Sequence, residues 1–160
     1  MRKTLSQSLA IFALGCSSAL LFSLTGCSKA PEVPPKIVEI TADDKMKYNI
    51  QEFEVDHGQK VTVVLKNIGT APKASMGHNF VALNKGVNWT KFVEDASMDA
   101  AHDYVPPAMA KDVIAHTKTL GPDESDSVTF TAPFVPGNYD FICSFPGHAT
   151  HGMKGVMIVK

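Results

Sequence analysis

The strongest constraint on this chain is the rhythm of its apolar residues. From Lys36 onward they recur at every second position in short runs, over 37–40, 50–55, 60–66, 79–83, 127–131, 137–143 and 154–159. Alternate residues of a strand point to opposite faces, so each run presents one apolar face that must be covered. Turn residues such as Asp56-His57-Gly58-Gln59 separate the runs, and a Gly- and Pro-bearing loop covers 67–76. Short strands at this spacing predict an all-β, antiparallel Greek-key β-sandwich rather than βαβ units.

One stretch breaks the rhythm. Over 88–102 the apolar residues Trp89, Phe92, Val93, Ala96 and Ala100 fall on a helical stripe. Asn88 is placed to cap its start, and Pro106-Pro107 forbids continuation. The expectation is a helical flap inserted between two strands and lying against the sandwich.

The first 26 residues read as an export signal, with Arg2 and Lys3 ahead of an apolar stretch over 9–24 that is short for a membrane span. Leu24-Thr25-Gly26-Cys27 resembles the lipobox of bacterial lipoproteins, which implies cleavage before Cys27 and lipid attachment to it. Several acyl chains on one residue give stable anchoring to a membrane. A plain secretory signal, or an uncleaved anchor helix, is the alternative. Residues 27–35 then form the lipidated Cys and a Pro-rich tether, and 36–160 the domain. The expected location is the bacterial cell envelope, periplasm-facing or exported. Ser28 after the Cys resembles outer-membrane sorting.

Loss of Arg2 and Lys3 takes the 15 basic side chains to 13, against 16 acidic ones, so the domain is mildly acidic. With no basic run or stripe, nucleic acid is excluded as a partner. Of the three cysteines, Cys16 leaves with the signal and Cys27 takes the lipid. Exported proteins normally pair their thiols, so the lone Cys143 needs another reason, and a metal–thiolate bond supplies one.

That reason is visible around it. Tyr139, Phe141 and Cys143 share one strand face, so the thiol is expected to point inward at the end of the core. Phe145-Pro146-Gly147 turns the chain so that His148 faces back, and the next turn, ending in Gly152, returns Met153. Met76-Gly77-His78-Asn79-Phe80 supplies a second imidazole from upstream. Taken singly, a buried Cys, a Pro-Gly turn or a loop His is ordinary. Together, one Cys, two His and one Met form a ligand set that suits copper, in a trigonal arrangement with a long axial thioether.

These motifs resemble the azurin and auracyanin branch of the blue copper proteins, the cupredoxins. The resemblance covers Met76-Gly-His-Asn-Phe80, Val113-Ile-Ala-His-Thr-Lys118, Asp126-Ser-Val-Thr-Phe130, Cys143-Ser-Phe-Pro-Gly-His148 and Met153-Lys-Gly155. It implies one type 1 copper held by His78, Cys143 and His148, with Met153 as weak axial ligand and the Gly77 carbonyl opposite. It further implies that Asn79 ties the ligand loops together through Ser144, and that the Phe145 amide donates to the Cys143 sulfur. An apolar patch for electron exit, built from Met76, Phe145, Pro146 and Ala149, is expected around a surface-facing His148 ring. His57, His102, His116 and His151 are not expected as ligands. Two features depart from azurin: no cysteines remain for its disulfide, and the gap from His148 to Met153 is one residue longer.

The implied function is a membrane-tethered electron-transfer protein and not an enzyme. Its partners would be a c-type cytochrome, a quinol-oxidising complex, an oxidase or a reaction centre, with a monomer the default for a mobile carrier. Copper delivery or storage is the alternative, which the dispersed methionines and inward Cys143 disfavour. Multicopper enzymes need further His ligands, often flanking the Cys, and here Ile142 and Ser144 flank it. A structural zinc site would want more thiolates.

Overall fold

The computed structural model describes residues 33–160; the expected signal, Cys27 and most of the tether lie outside them. Two sheets face each other. One has the order β2-β1-β4-β7, built from β1 Lys36–Asp43, β2 Lys47–Tyr48, β4 Lys60–Asn67 and β7 Ser125–Thr131. The other has the order β3-β9-β8-β5-β6, built from β3 Glu52–Val55, β5 Val81–Leu83, β6 Val113–His116, β8 Gly137–Ile142 and β9 Lys154–Val159.

The sandwich is as expected, but it is not wholly antiparallel. β1 runs parallel to β4, with Lys36 beside Val61 and Ala42 beside Asn67, and β3 runs parallel to β9. The chain changes sheets between β2 and β3 and again between β3 and β4. Neighbouring strands therefore need not be hairpin partners, a fact that alternation along single strands does not encode.

Alternation does decide what is buried. Ile40, Val61, Val63 and Leu65 meet Phe80, Phe141 and Met157 between the sheets, each no more than 1% exposed. Phe141 is the hub, with Tyr48, Phe53 and Phe80 at ring-centroid distances of 5.4–5.7 Å. Tilted aromatic packing of this kind adds to simple area burial.

The flap forms, but its α-helix is shorter than the apolar stripe. A single-turn helix α1 covers Lys73–Met76, and the flap helix α2 covers Trp89–Ala96. The Asn88 side chain accepts from the N–H groups of Thr90 and Lys91, as a cap should. Ser97 ends the helix by donating its hydroxyl to the Glu94 carbonyl, and the chain tightens into a short 3₁₀ turn at Ala100–His102. Phe92, Val93 and Ala96 pack on Val81, Leu83, Ile142 and Ala149, which covers the outer face of the second sheet. Trp89 lies over the Lys154 ammonium at 4.1 Å, so the flap also grips the residue after Met153.

Candidate metal centre

The strand directions carry His78, Cys143, His148 and Met153 to one end of the sandwich. β5 and β8 are hydrogen-bonded neighbours, with Val81 opposite Ile142. His78, three residues before Val81, and Cys143, one residue after Ile142, therefore sit at the same end. His78 is fixed there by a two-way backbone bridge to Leu120, at 3.0 and 2.7 Å. Gly77 has a steric reason to be glycine. A Cβ there would come within 2.6 Å of the Thr119 methyl, 2.8 Å of the Lys73 carbonyl oxygen and 3.1 Å of the Phe145 ring.

The loop after Cys143 closes by successive turns. The His148 amide donates to the Phe145 carbonyl, Gly152 to Ala149, and Met153 to His148 at 3.0 Å. The Cys143 amide then donates to the Met153 carbonyl, also at 3.0 Å. Gly152 sits at φ 93, a left-handed conformation that glycine adopts freely, and there the chain reverses to bring Met153 back beside Cys143.

The ligand atoms converge. His78 Nδ1 is 3.2 Å from His148 Nδ1, which is 3.5 Å from Cys143 Sγ. One nitrogen or sulfur from each of the three residues lies within 4.8 Å of the others, and all three residues are buried. A metal with bonds of about 2.0 Å to nitrogen and 2.3 Å to sulfur fits among atoms so spaced. Met153 is fully buried in the same core. The donors are borderline or soft, as copper prefers.

Electrostatics agree with a site prepared for a cation. Burial pushes the Cys143 thiol up to about 12, while the backbone N–H groups of Asn79 and Phe145, turned to the sulfur, work the other way. Burial pushes His148 down to about 4, helped by the facing His78 and by His151. Burial also lowers His78, against the opposing pull of Asp44 and Asp43. Both imidazoles are therefore neutral at pH 7 and ready to donate lone pairs. Burial has left His78 Nε2 without a hydrogen-bond partner, the one such buried side-chain atom among the described residues.

Around these residues, Asn79 donates to Ser144 Oγ and accepts from the Ser144 amide, both at 2.8 Å. It also donates to the Asp103 carbonyl at 2.7 Å, and its own carbonyl accepts the Tyr48 hydroxyl. Asp103 and Tyr104 both adopt left-handed conformations, φ 55 and 58, which bring the end of the flap over the site. The Tyr104 ring stands edge-on to Phe145 at 5.0 Å.

The chain matches the family model "Copper binding proteins, plastocyanin/azurin family" over residues 36–160. It belongs to that family. Azurin of Pseudomonas chlororaphis is 40% identical over 129 residues, covering 77% of this chain and 97% of the relative. Outer membrane protein H.8 of Neisseria gonorrhoeae is 40% identical over 111 residues, 68% of this chain and 60% of that protein. Among solved structures, dithionite-reduced auracyanin from Roseiflexus castenholzii superposes with a TM-score of 0.68 at 39% identity, covering 78% and 96%. The cupredoxin fold and copper as the cofactor thus stand on both geometry and kinship.

The apolar patch is not as expected. Pro146 is exposed and Met76 half-buried, but Phe145 is 7% and Ala149 1% exposed, and His148 itself only 2%. Phe145 is drawn in by stacking on His148, with centroids 4.6 Å apart, and by Tyr104. Ala149 is taken into the cluster beneath the flap. The second amide on the sulfur, from Asn79, and the cover from Asp103 and Tyr104 were not foreseen. Asp before an aromatic and two prolines was the only local signal for that left-handed turn. His57, His102, His116 and His151 are all exposed and none joins the cluster; His151 Nδ1 bonds the Gly147 carbonyl.

Proposed function

We propose that this protein carries single electrons through one type 1 copper, which His78, Cys143, His148 and Met153 would hold, with the Gly77 carbonyl as a further donor. The observation that supports it most is the convergence of three buried donor atoms within 4.8 Å of one another. Copper supplies the one-electron couple when bound. The residues supply constancy: ligands anchored by backbone and Asn79 hydrogen bonds move little between oxidation states, and buried donors exclude water. Four protein ligands would leave no position for a substrate, which favours a carrier over an enzyme. Exchangeable, exposed ligands would be needed for copper delivery, and this set is buried.

With His148 nearly covered, the short route out runs through Phe145 and the exposed Pro146-Gly147 rim beside Met76. A small, transient contact suffices for electron-transfer partners. A c-type cytochrome, a quinol-oxidising complex, an oxidase or a reaction centre are the partner classes that fit, each met by a monomer. Lipid on Cys27 would tether the chain in the cell envelope, a reading supported by similarity to an outer membrane protein.

The visible spectrum of the purified chain with Cu(II) tests the function. An intense thiolate-to-copper band that bleaches reversibly with reductant, and is absent from Cys143→Ser, is the expected result. A weak band or irreversible bleaching sinks the electron-carrier reading and favours delivery.

A further inference from the structure

We propose that the end of the sandwich opposite the metal centre seats on a lipid surface, with Phe134 and Val135 in the interface. This goes beyond a tether, borrowing from the reading above only the position of Cys27.

β8 starts at Gly137 and runs to the metal end, so the connection from β7 into β8 lies at the other end. There Phe134 is 76% and Val135 60% exposed. An aromatic and a branched aliphatic, adjacent and both largely in water, are unlike the scattered hydrophobes of an ordinary surface. They are also rigidly presented. The Phe134 ring lies so close over Gly58 that a Cβ there would come within 2.8 Å of it. The Gly58 amide donates to the Ala132 carbonyl, and the Ala132 amide to the Gln59 carbonyl. The Tyr139 hydroxyl holds the Val135 carbonyl at 2.7 Å, and Lys85 Nζ holds the Pro136 carbonyl at 2.9 Å. Ordering them on a surface therefore costs little further entropy.

The chain enters at this same end. Gln59 Nε2 donates to the Pro34 carbonyl at 2.8 Å, and Val33 just before it is 40% exposed. Only six residue steps separate Val33 from Cys27, a span of at most roughly 20 Å. A lipid on Cys27 would keep Phe134 and Val135 continuously near the bilayer, where even a weak interfacial preference is satisfied. Lys36, Lys60, Lys85 and Lys160 surround this end against Glu54 and Asp56, an excess of positive charge that favours an anionic phospholipid headgroup layer. Seated so, the protein points its metal centre away from the bilayer, about 20 Å further along β8 at a strand's rise per residue. Partners would then be water-soluble or carry their redox group well above the membrane.

The test uses the full chain, copper-loaded and kept reduced, on phosphatidylethanolamine–phosphatidylglycerol vesicles with brominated acyl chains. Phe134→Trp places an indole at the proposed contact, and Val135→Trp is a second probe if the first disturbs the turn; the visible band on reoxidation reports folding. Trp89, on Lys154 at the metal end, is the reference in the parent chain. Bromine should quench the new indole and spare Trp89. An unquenched indole overturns the proposal, and so does an emission shift that follows protein concentration without lipid, which would assign the patch to a second copy. Mass spectrometry of the same sample reports lipid on Cys27 separately. Quenching without lipidation upholds the contact while removing the anchor; lipidation without quenching does the reverse.

Discussion

Asn79 and Ser144 exchange two hydrogen bonds of 2.8 Å across 65 residues of sequence, locking the strand that carries one imidazole to the loop that carries the thiol. Both side chains are fully buried. Asn79→Ala leaves the Ser144 amide without an acceptor in a dry site, which should cost about 2–4 kcal/mol. Ser144→Ala keeps that amide bond, and Asn79 still donates to the Asp103 carbonyl, so its cost should be only about 1 kcal/mol. Denaturant midpoints of the two variants check the ratio, and equal losses would refute this account.

Met153 separates packing from ligation. It is wholly buried, so Met153→Ala should cost about 2–5 kcal/mol through the cavity it leaves. Met153→Leu conserves volume and should cost less than about 1.5 kcal/mol. Both lose the thioether, and its replacement by hydrocarbon disfavours the more highly charged oxidised copper. The reduction potential should therefore rise in Met153→Leu despite near-normal stability. Voltammetry beside thermal melts tests this, and an unchanged potential would remove Met153 from the ligand set.

Gly155 marks where the core tolerates nothing larger. A Cβ there would fall 2.2 Å from the Phe141 ring and 2.4 Å from the Gln51 carbonyl oxygen. Phe141 is hemmed in by three other aromatic rings, and Gln51 is met through its backbone, so neither can yield cheaply. Gly155→Ala should cost about 3 kcal/mol or more, read as a lowered midpoint in urea.

Much of this was legible because it is local. Alternation at Tyr139, Phe141 and Cys143 predicts an inward thiol, and the three are 3%, 0% and 0% exposed. Asn88 and the stripe from Trp89 announce the flap. The order of strands was not legible, since β1 beside β4 is a pairing between segments whose own patterns permit either direction. Nor was the cover over His148. Phe145 looked like a surface residue of a turn, and only the left-handed backbone at Asp103 and Tyr104, far away in sequence, shows why it is enclosed. Short-range periodicity reports which face is buried, whereas tertiary contact decides which loop residue joins it.

Asp44 should give the loop before His78 a pH dependence. Its carboxylate accepts from the Thr70 amide at 2.8 Å, the Thr70 hydroxyl at 3.0 Å and the Ala71 amide at 3.3 Å. The Thr70 amide is the main reason its pKa lies below the ordinary 3.8. A carboxyl lowered by folding stabilises the folded state above its unfolded pKa, and the contribution fades as pH falls through the folded one. Asp44→Asn should therefore be less stable than the parent at pH 7. The difference should persist down to 3.8 and shrink below it. Melting curves of both proteins against pH check this, and a gap that closed near neutrality would point to another group.

Electron exit makes the last demand on the structure. His148 is covered, whereas Pro146 and Gly147 are exposed and Met76 is half-buried, so the proposed exit for electrons lies over the rim of these residues. If that rim is the docking site, two copies of the protein exchanging electrons meet there face to face. Met76→Glu places a carboxylate on each side of such an encounter, and like charges brought together across a small contact repel. Self-exchange should slow by roughly tenfold at low ionic strength and recover as salt screens the pair. The visible band should not change, because Met76 lies outside the ligand set. Proton line-broadening in mixtures of oxidised and reduced protein measures the rate directly. A rate insensitive to both the substitution and salt would place electron exit elsewhere on the molecule.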